Sequence, residues 1–597
     1  METIKLVFWL ASVACLCPIL PAPRAGVQRA HERPNVLLIV TDDQGFGDLS
    51  LHGNPILKTP NLDRFAAQSV EFKNFYVSPV CAPTRASLLT GRYHQRTGVR
   101  SVTNGYETMA EDETTLAEIF AANGYRTALF GKWHLGEYYP QVPHAQGFHH
   151  YIGFRTGHTD DYFDALLEHN GRPYQTKGFI TDALTEEAIN FIERNRARPF
   201  FAYLPYNAPH TPLQAPEEYL AKYRAMNLPE RTAYVYAMLE NIDDNVGRLL
   251  AKLDELKLAD DTLVIFMSDN GIIWGRNEKD RRFNAGLRDQ KFTVYEGGIR
   301  APFFIRVPKR FRQGEGEVIE KIAAHIDVLP TVLDYCGAPL PKKLKIDGVS
   351  LRRLIENGRQ SWPERRLFVN YSLATLGTPA PYPGGVARTE QYKMVNGAEL
   401  YDLANDPGEQ RNIAAEKPHL LAELDRAYRQ WWGEVTSQRG FALAPIQVGH
   451  ARENPVAIAM HHARARGGLE FEGVRDFGRR GFHPVGVDGD WITNWESVDD
   501  MLRWELQVAR AGKYEVAVRM RCPRAEAGSK VRFDFGGQAL DAVAPAAEPR
   551  EGEWLTRRIG VVQLKAGRTT LTVRAMSVRR QSVMELNKLL LRRVAAS

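Results

Sequence analysis

Three carboxylates, one amide, two histidines and a lysine stand directly after four apolar runs in this 597-residue chain. Thr41-Asp42-Asp43 ends the run 35–40, and Ser268-Asp269-Asn270-Gly271 ends the run 262–267. Gly131-Lys132-Trp133-His134 follows 126–130, and Asn207-Ala208-Pro209-His210 follows 200–204. Singly these are ordinary, because Asp-Asn-Gly is turn chemistry and a lone histidine is more often structural than catalytic. Together they point to one site if the runs are neighbouring strands, since ligands of open α/β sheets bind at the carboxyl ends of the strands. Asp42, Asp43, Asp269 and Asn270 offer only oxygen, which suits a hard divalent cation, calcium before magnesium. Adjacent carboxylates repel and favour a cation between them, whereas zinc would recruit histidine or thiolate more directly.

The elements that must position these residues read as an α/β domain with a largely parallel sheet. The runs 35–40, 126–130, 200–204 and 262–267 are apolar throughout, as strands buried on both faces are. Amphipathic segments at 114–123, 181–195 and 231–256 lie between them. In the last of these, Val235, Met238, Leu239, Ile242, Val246, Leu249 and Leu250 recur at helical spacing.

A cysteine motif completes the pattern. Cys81-Ala82-Pro83-Thr84-Arg85, followed by Leu89-Thr90-Gly91-Arg92, resembles the signature of the type I (formylglycine-dependent) sulfatase family, Cys-x-Pro-Ser/Thr-Arg and then Leu-Thr-Gly-Arg. Pro34-Asn35-Val36 through Asp42-Asp43, Gly131-Lys132-Trp133-His134, Pro209-His210-x-Pro212 and Asp269-Asn270-Gly271 are similar to further family blocks. So are Lys291 with Tyr295-Glu296-Gly297-Gly298-Ile299-Arg300, and Leu400-Tyr401-Asp402-Leu403. The blocks stand in family order over roughly 33–418.

The resemblance implies an alkaline-phosphatase-like fold, a large mixed but mainly parallel sheet flanked by helices. It implies that a formylglycine-generating or anaerobic sulfatase-maturating enzyme oxidises Cys81 to formylglycine, which hydrates to a geminal diol. One hydroxyl, deprotonated with help from the metal, would attack sulfur, and the hemiacetal sulfate would collapse to the aldehyde. A helix N-terminus at 84–86 would add backbone N–H donors for the anion. Position by position, Asp42, Asp43, Asp269 and Asn270 match the calcium ligands, with the formylglycine oxygen from Cys81 completing the shell. Arg85 matches the arginine that orients the formylglycine, and Lys132 and Lys291 match the lysines that hold sulfate oxygens. His134 matches the histidine beside the diol, and His210 the general acid for the leaving alcohol. Two departures stand out. Leu287-Arg288-Asp289-Gln290 stands where many relatives have Gly-Gly before the lysine, with Phe292 in place of a small residue after it, which leaves the loop geometry around Lys291 open. Thr84 stands where Ser is commoner, a variation the family tolerates. Gly157-His158-Thr159-Asp160-Asp161 reads as a polar loop, with a place in the substrate pocket as the alternative.

Composition bounds the rest. The chain is 44% hydrophobic and 25% charged with a net charge of +6, a soluble globular balance. Its mildly basic excess could attract polyanions such as sulfated glycans or nucleic acid. An Arg-rich solvated surface is the plainer reading, and no nucleic-acid partner is expected. Lys5 followed by the apolar run 6–14 and small residues and prolines to about 25 predicts a signal peptide, hence an exported, periplasmic or extracellular protein. No later segment predicts a transmembrane helix. Cys81, Cys336 and Cys522 remain beyond it, too few for a disulfide scaffold, although one bridge is feasible.

The expected organisation is a signal at 1–25, the catalytic α/β domain at 33–345 and a small antiparallel α+β subdomain at 346–440. A linker at 441–466 and a C-terminal β-sandwich at 467–597 follow. The sandwich somewhat resembles carbohydrate-binding modules. Trp491, Trp495, Trp504 and Trp554 are either sugar-stacking platforms or core, and Trp504 reads as core. The functional expectation is a sulfatase acting on a sulfated carbohydrate. The alternatives are a phosphodiester or phosphonate monoester hydrolase of the same superfamily, and a non-catalytic glycan-binding protein with Cys81 unmodified.

Overall fold

Alternate residues of the strand Asn35–Thr41 enter two different apolar layers: Val36, Leu38 and Val40 one, Leu37 and Ile39 the other. This is the two-residue period of a strand covered on both faces. A computed structural model describes residues 33–274, 281–312, 316–357, 362–472, 490–548, 550 and 553–594. The signal-peptide expectation at 1–25 lies outside the described residues.

Asn35–Thr41 is a central strand of a ten-stranded sheet. It pairs in parallel with Phe200–Pro205 on one side and with Thr262–Ser268 on the other. Arg126–Lys132 continues the parallel order beyond Phe200–Pro205, and Phe303–Arg306 runs antiparallel beyond Thr262–Ser268. The carboxyl ends of these four parallel strands therefore share one edge. Helices Ile180–Asn195 and Glu230–Glu255 cover one face through residues such as Leu184, Ile192, Met238 and Ile242. Helices Cys81–Thr90, Leu116–Ala122 and Val328–Cys336 cover the other. Each fully buried branched or aromatic side chain contributes about 1.5–3 kcal/mol, so both layers anchor the strands beneath the polar edge.

The second unit is the antiparallel sheet of Leu367–Asn370, Gly385–Arg388, Tyr392–Val395 and Glu399–Asp402. The helix Pro418–Ser437 packs Leu424, Tyr428, Trp431 and Val435 into its core.

The C-terminal unit is two packed sheets, and the linker expectation at 441–466 is corrected. Ile446–Val448 pairs in parallel with Met501–Val508, Val456–Ala459 pairs with Glu585–Arg593, and Arg464–Arg466 pairs with Met501–Val508. Ile446, Val448, Val456, Ile458 and Met460 are buried in the sandwich core. These strands are too short to show alternation over a long run, which is why the segment read as connection. Trp495 and Trp504 are buried, so both are core rather than platform. Cys81, Cys336 and Cys522 are buried free thiols, so the feasible bridge does not form.

Candidate active site

The shared strand edge holds a compact cluster of charge. Asp42 and Asp43 leave the end of Asn35–Thr41, and Asp269 and Asn270 leave Thr262–Ser268 in the neighbouring strand. All four are buried. Asp43 has φ of 69°, a left-handed turn that aspartate tolerates better than most residues. The Asp43 amide donates to Asp269 Oδ1 at 3.3 Å, and Asn270 Nδ2 donates to Asp43 Oδ1 at 2.7 Å.

Three cations face these carboxylates. Arg85 sets Nη2 2.6 Å from Asp269 Oδ2 and 3.6 Å from Asp42 Oδ2. Lys132 Nζ lies 2.6 Å from Asp42 Oδ2, and Lys291 Nζ 2.5 Å from Asp43 Oδ1. Burial and the charge of Asp42 push the Asp269 carboxyl above the usual carboxylate range, against Arg85. Burial would raise Asp43 too, but the Lys291 ammonium, with His210 and the Asn270 amide, holds it well below that range.

The donor set fits a hard divalent cation. Asp42, Asp43 and Asp269 place carboxylate oxygens within 4.8 Å of one another. Asp42 Oδ1 and Asn270 Oδ1 are buried oxygens without a hydrogen-bond partner. Oxygens left so in a buried cluster are costly unless a cation accepts them.

Cys81 is the first residue of the helix Cys81–Thr90. The turn before it is fastened by Thr84, whose hydroxyl donates to Ser78 O and accepts from Ser78 N, at 3.1 and 3.0 Å. Serine or threonine serves equally at that position because the hydroxyl does the fastening. Cys81 Sγ lies 3.5 Å from Lys291 Nζ. Burial nevertheless pushes the thiol up to about 11, so at neutral pH the sulfur is not an activated thiolate.

The histidines complete the rim. His134 Nε2 donates to Val102 O at 2.7 Å, which leaves Nδ1 as a buried acceptor with no partner. Gly157 packs so closely on this ring that a Cβ there would meet His134 Nε2 at 2.8 Å. His210 Nε2 lies 3.9 Å from Asp43 Oδ2. Burial, then the Lys291 charge, lowers His210 to about 3.

All ten residues singled out by the motifs thus lie at one edge. Sequence reasoning under-rated His158: it is buried, and its ring centroid is 5.6 Å from that of His210. Asp161, from the same loop, instead accepts from Gln214 at the surface. The departures around Lys291 are also explained. Asp289 and Phe292 adopt φ of 63° and 72°, conformations that glycine takes without strain. The loop holds these conformations without glycine and is tied down by Lys291 N to Ile272 O at 2.7 Å and Phe292 N to Pro79 O at 2.9 Å.

The Sulfatase family profile matches residues 34–338. The chain belongs to the sulfatase family and is a sulfuric ester hydrolase. The profile described as "N-sulphoglucosamine sulphohydrolase, C-terminal" matches 284–430, which takes in the small antiparallel subdomain. The sulfatase is 33% identical to N-acetylgalactosamine-6-sulfatase of Homo sapiens, over 71% of this chain and 88% of that one. It is 32% identical to the Sus scrofa protein of the same name, over 68% and 86%. The crystal structure of Ps i-CgsB in complex with k-i-k-neocarrahexaose matches with a TM-score of 0.62 at 29% identity, covering 68% of this chain and 95% of that one. The alkaline-phosphatase-like fold is shared with these sulfatases. Members of this family generally use formylglycine and a metal ion, and the site geometry accommodates both.

Proposed function

We propose that this sulfatase hydrolyses sulfate esters of a carbohydrate, with Cys81 matured to formylglycine and calcium held by Asp42, Asp43, Asp269 and Asn270. The observation that carries the reading is the position of Cys81 at a helix N-terminus, 3.5 Å from Lys291 and beside an all-oxygen cradle. The carbohydrate class rests on the relatives: the Homo sapiens and Sus scrofa proteins are named N-acetylgalactosamine-6-sulfatase, and the Ps i-CgsB structure is a complex with k-i-k-neocarrahexaose.

Bound calcium would neutralise the carboxylates and lower the pKa of an oxygen placed against it. A hydrated formylglycine would supply that oxygen as the nucleophile towards sulfur. The chain's own groups do the remainder. Lys132 and Lys291 hold the sulfate oxygens, where negative charge must be stabilised as the ester bond breaks. Arg85, fixed on Asp269, keeps residue 81 in place. His134, with Nε2–H committed to Val102 O, has Nδ1 free to take a proton from the diol. Burial and the Lys291 charge keep His210 neutral, and a sulfate anion on the lysines would offset their charge and favour its protonated form, ready to donate to the leaving alcohol.

Mass spectrometry of the Cys81 peptide, from protein co-produced with a maturation enzyme, tests this reading. A loss of about 18 Da, thiol to aldehyde, accompanied by release of sulfate from galactose or N-acetylgalactosamine sulfates, supports it. A matured protein that prefers phosphate or phosphonate esters in parallel assays overturns it.

The run 6–14 supports export to the periplasm or the extracellular space, and N-terminal sequencing of secreted protein tests that. We also assign the sandwich a sulfated-glycan-holding role. Trp491 and Trp554 lie side by side with centroids 5.5 Å apart, and the Arg521 guanidinium is 4.0 Å from the Trp554 ring. These are partly exposed rings with a cation, suited to a sugar face and its sulfate. Trp554→Ala in the full chain should weaken retention on a sulfated polysaccharide gel while kcat on a small sulfate ester is unchanged. Equal retention removes the assignment.

A further inference from the structure

Away from the strand edge, a second cluster of ligating side chains is buried between the catalytic domain and the sandwich. Glu137 stands three residues after His134, and Glu107 lies on the loop that supplies Val102 O to His134. His461 and His462 come from the turn Met460–His462, between two short strands of the sandwich. Each side of the interface thus contributes two groups. None belongs to the sulfatase motifs, and the histidine doublet falls in the stretch that the sequence reads as a linker.

The nitrogen and oxygen atoms converge. His461 Nε2 lies 2.8 Å from Glu137 Oε1, and His462 Nε2 lies 3.6 Å from the same oxygen and 2.8 Å from Glu107 Oε1. A tetrahedral zinc with bonds of about 2.0–2.1 Å separates its ligand atoms by roughly 3.3 Å. The Glu137, His461 and His462 atoms all lie within 4.8 Å of one another, while Glu107 meets the group through His462 alone. The side chains of Glu107, His461 and His462 are at most 4% exposed, and Glu137 is 12% exposed.

The outer contacts are also those of ligating histidines. His461 Nδ1 makes no hydrogen bond and faces Asp490 Oδ2 at 3.7 Å, and His462 Nδ1 lies 2.8 Å from the Tyr138 hydroxyl. With both Nε2 atoms on a metal, each Nδ1–H has an oxygen to face, the arrangement that orients metal-bound imidazoles. Glu107 Oε2 is a buried oxygen without a partner.

We propose that Glu137, His461 and His462 form a second divalent-cation site, of zinc type, that clasps the C-terminal sandwich to the catalytic domain. Two imidazoles and a carboxylate select a borderline metal over calcium or magnesium. Glu107, beside His462, is the side chain placed to swing in as the fourth ligand and close the site. It is independent of the hydrolytic reading and of the all-oxygen cradle.

The test uses the full chain carrying Cys81→Ala, because Asp42, Cys81 and His210 also approach one another closely enough to capture a soft metal. The protein is stripped with chelator, dialysed into calcium and titrated with cobalt(II). The expected result is one tightly held cobalt per chain with the intense visible absorption of a four-coordinate site. Zinc should displace it and raise the unfolding temperature. His462→Ala should lose the absorption and the zinc response, and Asp490→Asn should weaken zinc by about 10–100-fold. Absence of a stoichiometric cobalt signal in the Cys81→Ala parent overturns the proposal, whether or not the other variants fold. So does a signal that a folded His462→Ala protein retains.

Discussion

The Lys291 ammonium lies 3.5 Å from the Cys81 sulfur while it is paired at 2.5 Å with Asp43 Oδ1. One side chain therefore couples the cation cradle to the residue at the head of the helix. Lys291→Met should lower kcat by on the order of 10²–10³-fold, the cost of losing one preorganised donor to developing negative charge. Initial rates over a range of sulfate-ester concentrations check this. A rise in KM with kcat unchanged would instead make Lys291 a ground-state anchor.

Removing divalent metal should inactivate the enzyme, and calcium should restore it better than magnesium. Three buried carboxylates, with Asp42 Oδ1 and Asn270 Oδ1 lacking hydrogen-bond partners, make the metal-free site costly. Calcium at 100 times its Kd should stabilise the fold by about 2.7 kcal/mol, visible as a higher unfolding temperature. Asp42→Asn should abolish that shift. A calcium-independent melting curve for the parent protein would count against the cradle.

The strand edge was legible because strand, turn and ligand chemistry coincide in one short stretch. In the segment ending at Asp42-Asp43, the uninterrupted apolar run marks a doubly covered strand and the carboxylates mark its exit. Lys291 was legible by motif only: the positive φ values at Asp289 and Phe292 appear when the folded loop holds them, because local sequence favours other conformations there. His158 was hidden since its contact with His210 joins residues 52 positions apart, and no local pattern encodes that. The strands 446–448, 456–459 and 464–466 are three or four residues long, too short for periodicity to register. Their partners lie about 40 to 140 residues away, so only tertiary pairing defines them.

That correction has a consequence for dissecting the chain. A fragment of residues 467–597 lacks Ile446, Val448, Val456, Ile458 and Met460, all buried in the sandwich core. At about 1.5–3 kcal/mol for each side chain, the loss reaches or exceeds the stability of an ordinary domain. The fragment should aggregate or bind a hydrophobic dye, whereas 442–597 should be the more soluble and show a cooperative melt. Equal cooperativity in the two fragments would mean that the early strands are dispensable.

Two histidines beneath the Cys81 segment should make the fold acid-sensitive. His94 Nδ1–H donates to Val99 O at 2.7 Å, and His325 Nδ1–H donates to Tyr76 O at 3.1 Å, with Nε2 3.3 Å from the Ser78 hydroxyl. Burial lowers His94 to about 4, and burial with the neighbouring His94 lowers His325 to about 3. In the unfolded chain both accept a proton near the ordinary value of 6.5. Between that value and about 4 the unfolded state therefore holds more protons than the folded state, and stability falls as pH falls. Each histidine contributes a slope of about 1.4 kcal/mol per pH unit in that window and nothing above it. Denaturant unfolding at pH 5, 6 and 7 should show this slope in the parent, and His325→Gln should reduce it by one proton. Other titrating groups act on both proteins alike, so the difference isolates the histidine. Identical slopes would mean that His325 is protonated inside the fold, and the tautomer assigned from Tyr76 O and Ser78 would be wrong.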